Sequence, residues 1–251
     1  MTHSPRSAVM MIVLTVGASV SSGPSLHAQQ GMTMPPMSGD HAMNMAEHSM
    51  TGAMDTIMMK HMELSPVRAA TRADSAKAMS AVKELRAAIA QYQDTAAAVA
   101  DGYEMFAPNM KNQKTFHFTK KGNAFEEAFR FNAAKPTSLL YERDGPGKLK
   151  LIGAMYTMPK RASLSRLDDR IPLSIARWHK HVNWCMPPKG EQSKWTERQN
   201  GMPLFGPESP ITTKAECDKV GGKFEPTIFG WMVHANVFAG DDLGTIFADH
   251  H

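Results

Sequence analysis

The most restrictive feature of the sequence is the block WHKHVNWC, which runs from Trp178 to Cys185. On a β-strand, successive side chains point to opposite faces of the sheet. His179, His181, Asn183 and Cys185 would then share one face, with the two tryptophans of the block on the other. On a helix, residues i and i+2 do not face each other, so only a strand lets the two imidazoles converge on one ion. We therefore predict a strand that carries a pair of candidate metal ligands.

Two further segments carry a histidine in a strand-like pattern. The block WMVHANVF, from Trp231 to Phe238, contains His234 and has an asparagine two residues later, as the first block does. Alternation around Phe116 predicts another strand, in which His117 lies on the polar face. Imidazoles that converge from a rigid sheet suit Cu, Zn, Fe or Ni. The sequence thus predicts a metal site in the folded domain. The predicted ligands are His179, His181, His234 and His117. Asn183 and Asn236 would orient the imidazoles. The alternative is that each histidine is a hydrogen-bonded structural residue.

The first 28 residues have the pattern of a secretory signal peptide. Arg6 gives a basic start, residues 8–20 form a short apolar run, and Ala28 offers a cleavage point. The apolar run is shorter than the ~20 residues that a membrane span needs, and no later segment approaches that length. We expect a periplasmic or secreted protein with no membrane span.

Export bears directly on Cys185 and Cys217, the two cysteines of the chain. Cysteine pairs of exported proteins usually form disulfides, so we predict a bond between them. The loop that they close corresponds to a stabilisation of roughly 3–4 kcal/mol. The alternative is that Cys185, on the predicted histidine face, is a thiolate ligand.

Residues 29–64 form a segment of different composition. It is rich in methionine and histidine, and it has too few β-branched or aromatic residues to order itself by burial. Thioether sulfur is a soft ligand that selects Cu(I), and imidazole suits both copper oxidation states. Candidate copper ligands in this segment are Met32, Met34, His41, Met43, Met45, His48, Met50, Met58, Met59 and His61. The alternative is a flexible linker in which the methionines are incidental or scavenge oxidants.

In composition, residues 29–64 resemble the Met/His-rich segments of exported bacterial copper-handling and copper-resistance proteins. This resemblance covers the N-terminal segment and implies copper as the bound metal, with other envelope copper proteins as partners. Zinc or another transition metal remains an alternative for the site in the folded domain.

From residue 65 to residue 251 the pattern predicts a single α+β domain. Apolar residues from Met79 to Tyr92 recur at steps of three and four, which is typical of an amphipathic helix. Later segments alternate as strands, and Gly145-Pro146-Gly147 marks a hairpin. Thr212 or Thr213 is predicted to cap a short helix that carries Cys217. We expect a mostly antiparallel sheet, an N-terminal helix and a short disulfide-linked helix, preceded by the disordered Met/His-rich segment.

Charge and motifs limit the classes of function. The basic excess over residues 65–251 is spread thinly, without a basic stripe among aromatics, so nucleic acid is not expected as a partner. Paired acids such as Glu126 and Glu127 are interpreted as solvated surface. Two hypotheses follow: copper sequestration or transfer, and a mononuclear copper or zinc enzyme that uses His179, His181 and His234. A scaffold module with structural histidines is the third.

Overall fold

The computed structural model describes residues 57, 59–108 and 113–248. The signal peptide and most of the Met/His-rich segment therefore lie outside the described residues. The strands are β1 (Met62–Leu64), β2 (Glu104–Met105), β3 (Thr115–Thr119), β4 (Ser138–Arg143), β5 (Leu149–Met158), β6 (His179–Met186), β7 (Arg198–Gln199), β8 (Met202–Pro203), β9 (Lys223–Thr227) and β10 (Trp231–Ala235). The helices are α1 (Arg72–Ile89), α2 (Thr95–Ala100), α3 (Lys121–Glu127), α4 (Leu164–Asp168), α5 (Lys214–Lys219) and α6 (Leu243–Ile246), with 3₁₀ turns at Ala90–Tyr92 and Gln192–Thr196.

The main sheet is antiparallel, and over the described residues its strand order is β1-β6-β10-β5-β4-β3-β2. Strand β6 pairs with β1 along one edge; along its other edge it pairs first with β10, at His179, and then with β9, from Val182 to Met186. The short strands β7 and β8 form a separate two-stranded ribbon. The predicted α+β architecture with an antiparallel sheet is confirmed.

Helix α1 supplies much of the main hydrophobic core. Thr71 and Asp74 form a capping box that begins the helix, because each side chain accepts the other's backbone N–H. Its buried stripe is Asp74, Ala78, Val82, Leu85 and Ile89. Met79, the first residue of the apolar pattern in the sequence, is 40% exposed because Ala78 takes the buried position.

Side chains cap the first turns of two of the short helices. The Asp94 side chain accepts the Ala96 N–H and begins α2, and Gly102 follows that helix with a positive φ of 85°. Thr213 forms a capping box with Glu216 at the start of α5. Between β5 and β6, helix α4 and the residues that follow it place Leu167 and Ile171 in the main core.

A second, smaller core lies at the end of β6. The predicted disulfide is present, and it joins Cys185 of β6 to Cys217 of α5. Both half-cystines are fully buried and pack with Phe205 and Ile211. The bond therefore fixes α5 against the end of the strand that begins with His179, and Cys185 is not available as a thiolate ligand.

The ordered fold begins earlier than residue 65. Strand β1 lies within the predicted flexible segment, and it pairs with β6 so that Met62 is opposite His181. His61 is 1% exposed, and its Nε2 donates to the Ser209 carbonyl at 2.6 Å while Nδ1 lies 3.3 Å from the Val182 carbonyl. The predicted boundary and the predicted role of His61 as a flexible copper ligand are therefore wrong. Long-range pairing and two carbonyl partners fix this residue, and neither can be seen in local composition.

Candidate metal centre

The four candidate histidines of the domain lie on one face of the sheet. Directly opposed residues of antiparallel strands point to the same side. His179 is opposite Met232, and His234, two residues further along β10, is opposite Met155. Continuing across the sheet, Met155 is opposite Ser138, and Leu140, two residues beyond Ser138, is opposite His117. The main core covers the other face, which bears Trp231, Val233, Tyr156 and Leu139.

The sheet must curl to bring the outermost of these histidines into the group. His117 lies on β3 and His234 on β10, with β5 and β4 between them. Strands are ~4.8 Å apart, so a flat sheet would separate these two positions by about 14 Å. The ring centroids are only 5.5 Å apart. Side chains that lean toward each other account for part of the difference between the two distances, and curvature of the sheet accounts for the rest.

Two local features favour that curvature. The pairing of β4 with β5 shifts register between Leu140 and Tyr141, and such bulges bend the strand that carries them. At Gly153 of β5, a Cβ would lie 2.1 Å from the Ala235 carbonyl oxygen, so only glycine allows the chain to cross there. Both features lie on the strands between His117 and His234.

The four imidazoles form a continuous group. The ring centroids of His179 and His234 are 5.2 Å apart, and those of His179 and His181 are 5.5 Å apart. These two pairs meet edge to face, with interplanar angles of 81° and 78°. With His117 beside His234, the structure brings together all four histidines that the sequence selected.

These separations can be compared with those of a metal site. Metal–nitrogen bonds of ~2.0–2.1 Å in a tetrahedral site place imidazole centroids about 5.2 Å apart. As the side chains stand, no group of three or more His, Cys, Asp or Glu residues in the described part of the chain is arranged to hold a metal ion. A common centre would require the rings to turn about χ2, a torsion that is intrinsically broad for histidine.

The four histidines differ in how deeply they are buried. His179 is fully buried, and His117, His181 and His234 are half-buried. The fully buried ring therefore lies between two partly exposed ones, since His179 is flanked by His181 and His234.

Aromatic side chains border the group beside His181. The Trp184 ring centroid is 5.3 Å from that of His181, and the Phe229 centroid is 6.0 Å from it. Phe106 extends this border, with its ring 5.8 Å from Phe229 and about half of its surface exposed. Trp184 and Phe229 therefore give His181 an aromatic neighbourhood on this side of the group.

The position of Trp184 corrects a prediction. Strict alternation placed this residue on the face opposite His181, but the two rings are in contact. Asn183 between them has a positive φ of 59°, which breaks the two-residue alternation of β6. The Asn183 side chain donates to the Lys60 carbonyl at 3.3 Å, so it ties β6 to the chain that enters β1. Its role in orienting an imidazole stays a prediction.

The candidates in the Met/His-rich segment stay mostly untested. Met59 is 52% exposed, and His61 is buried in the fold. The remaining candidates lie outside the described residues: Met32, Met34, His41, Met43, Met45, His48, Met50 and Met58.

Sequence reasoning missed one buried acid. Glu127, at the end of α3, is 2% exposed, although it was predicted to be solvated surface. It accepts hydrogen bonds from the Thr137 hydroxyl and from the Thr157 backbone N–H at 2.7 Å. Burial raises the pKa of this carboxyl to about 7, against the opposing effect of these hydrogen bonds. Local sequence carries no signal of this burial, because the partners lie on β5 and just before β4.

Comparison of the chain with family models, curated proteins and solved structures found no match. Among the described residues, no helix is both long and apolar enough to cross a bilayer. A function for the chain is therefore inferred from the chemistry of the site itself.

Proposed function

We propose that this chain is an exported copper-binding protein, which sequesters or transfers the metal. In the folded domain, His179, His181 and His234 hold the ion, and His117 supplies a fourth imidazole. The observation that supports the proposal is a chain of four neighbouring imidazoles from three strands, whose successive ring centroids are 5.2–5.5 Å apart, close to the spacing of two imidazoles on one tetrahedral ion. Residues that are distant in sequence form this group on the face of the sheet away from the main core.

The choice of copper rests on the donor types. Imidazole binds Cu(I) and Cu(II), whereas the thioethers of residues 29–59 select Cu(I). The segment would capture Cu(I) and the domain would hold the ion, with other envelope copper proteins as donors or acceptors. Zinc is the main competitor for the domain site, because it also favours imidazole and tetrahedral geometry.

The test is metal analysis of the purified mature protein and of a variant that lacks residues 29–56. This deletion spares His61 and β1, which belong to the fold. The full-length protein is expected to bind more Cu(I) equivalents than the deletion variant, which retains one ion on the histidines. Equal copper content in the two proteins would overturn the role of the segment.

Point variants test the domain site. His181→Gln and His234→Gln change half-buried rings. Each removes one proposed ligand of the ion, so each is expected to weaken Cu(II) binding at least about tenfold. Lys180→Met is the matched control on the same strand. The Lys180 ammonium lies 4.3 Å from the centre of the Trp231 ring, and Trp231 belongs to the face of the sheet away from the histidines. Thermal melts would verify that all three variants fold. Unchanged copper affinity in both histidine variants would refute the domain site.

A mononuclear metalloenzyme is the second candidate, and the graded burial of the ligands favours it. A metal that keeps a position open to solvent can bind and activate water. Azide added to the Cu(II) protein would then replace that water and change the visible absorption. An unchanged spectrum would exclude an open coordination position.

A further inference from the structure

Three histidines of the proposed site each face a methionine across the sheet. His179 is opposite Met232 and His234 is opposite Met155. At the edge, His181 is opposite Met62 of β1. His117 is the exception, since its partner on β4 is Leu140.

This register places thioethers beside imidazoles. In a directly opposed antiparallel pair, the Cβ atoms are ~4.5–5.5 Å apart and the side chains leave the sheet on the same face. Methionine has three rotatable bonds, so its sulfur can adjust to a nearby centre. Each of the three pairs can therefore present one nitrogen and one sulfur donor to the same volume.

The methionines on this face are separated from the main core. Met155 and Met232 are 8% and 6% exposed, and they form a small cluster with Leu140, with Ile152 and Phe229 packed against it. Met158, on the other face of β5, is 2% exposed and belongs to the main core. The chain thus contains a buried methionine of the same strand that packs away from the histidines.

We propose that Met155 and Met232 are the soft donors of a mixed imidazole–thioether site, which holds Cu(I) as well as Cu(II). Met62 lies at the outer edge of the same site. This inference rests on the proposed copper function and adds ligands that the histidines alone do not supply. Thioether sulfur selects Cu(I), whereas the imidazoles bind either oxidation state. Loss of the thioethers should therefore weaken Cu(I) binding and spare Cu(II) binding.

The alternative is that these methionines only fill space, as methionine often does in cores. Leucine distinguishes the two roles, because Met→Leu changes volume little and usually preserves stability. Met155→Leu and Met232→Leu remove the sulfur at the site, and Met158→Leu is the matched control on the opposite face.

The experiment uses the full mature chain labelled with ¹³C at the methionine methyl groups. The three leucine variants assign the methyl signals of Met155, Met232 and Met158 in NMR spectra. Cu(I) is added without oxygen, as its acetonitrile complex, until the shifts saturate. Signals of Met155 and Met232 are expected to move, while that of Met158 stays in place. Because the leucine variants identify these three signals, shifts of the other methionine signals do not obscure the result.

Affinities give the second measurement. In competition with bicinchoninate for Cu(I), the Met155→Leu/Met232→Leu double variant is expected to lose Cu(I) from the histidine site about tenfold more readily than the Met158→Leu control. Its Cu(II) affinity should match that of the control. Histidine ring signals report the proposed function separately.

The outcomes are distinguishable. If Cu(I) shifts the histidine signals but not those of Met155 and Met232, the thioether inference fails and the copper site stands. If neither set of signals moves with Cu(I) or Cu(II), the proposed function fails together with the inference. Equal Cu(I) loss in the Met158→Leu control would show that packing, not ligation, causes the effect.

Discussion

The buried carboxyl of Glu127 should make the stability of this protein depend on pH. Its side chain is 2% exposed and accepts the Thr157 backbone N–H at 2.7 Å. Burial is the largest influence and raises its pKa from the ordinary 4.5 to about 7, while hydrogen bonds and the charge of Arg170 act in the opposite direction. The folded state therefore binds this proton more tightly than the unfolded state.

The sign of the effect follows from that difference. The stabilising contribution of the neutral acid is complete below pH 4.5 and is lost as the pH rises through about 7. A pKa change of this size corresponds to about 3 kcal/mol of unfolding free energy. That is a large part of the stability of an ordinary domain, which is about 5–15 kcal/mol.

Glu127→Gln is the variant that removes this dependence, because glutamine resembles the protonated acid in shape and stays neutral. Urea unfolding of the metal-free protein at several pH values between 5 and 9 gives the free energies. We expect the wild type to lose about 3 kcal/mol relative to Glu127→Gln over this range. Subtracting one protein from the other cancels the contribution of every titratable group that the variant leaves unchanged.

Glu126→Gln is the matched control, since Glu126 is the adjacent acid and forms a surface ion pair with Lys135 at 3.3 Å. Its stability should follow the wild type across the whole range. Parallel curves for the wild type and Glu127→Gln would show that Glu127 is ionised throughout, and the argument from burial would be refuted.

Three further changes test the fold around the site. Replacing Cys185 and Cys217 by alanine should cost about 4 kcal/mol in urea unfolding, given their separation of 32 residues; an unchanged midpoint would contradict this. Gly153→Ala places a Cβ 2.1 Å from a backbone oxygen, so it should destabilise the fold by about 1–3 kcal/mol and weaken copper binding at His234; retention of both properties would show that the crossing is not tight. His61→Ala should cost about 2–4 kcal/mol through its lost packing and hydrogen bonds, while the copper content stays the same; loss of copper would restore this residue as a ligand.

Local periodicity predicted most of the elements that position the site. Alternation around Phe116 and from His179 to His181 gave strands β3 and β6, and the glycine-proline turn gave the hairpin of β4 and β5. Helix α1 and the cap of α5 followed from spacing and N-cap chemistry. These features depend on neighbours within a few residues, which is the range that a sequence pattern can carry.

The failures share a non-local cause. Trp184 lies beside His181 because one left-handed residue, Asn183, interrupts the alternation of β6. His61 is buried because residues 121 and 148 positions later supply its carbonyl partners. The burial of Glu127 depends likewise on Thr157, 30 positions away. From local sequence, Trp184 was predicted to be an ordinary strand residue, His61 a residue of the flexible segment and Glu127 a surface residue.

The methionines opposite the histidines provide soft donors inside the folded domain. From sequence alone, imidazoles came from the domain and soft donors only from residues 29–64, so copper had to be inferred from a separate segment. The register of β5, β6 and β10 places Met155 and Met232 on the histidine face, within one folded unit. If the N-terminal segment is merely a linker, the domain still contains both donor classes that the two copper oxidation states prefer. The deletion of residues 29–56 and the leucine variants therefore test independent parts of the proposal, and either can fail without the other.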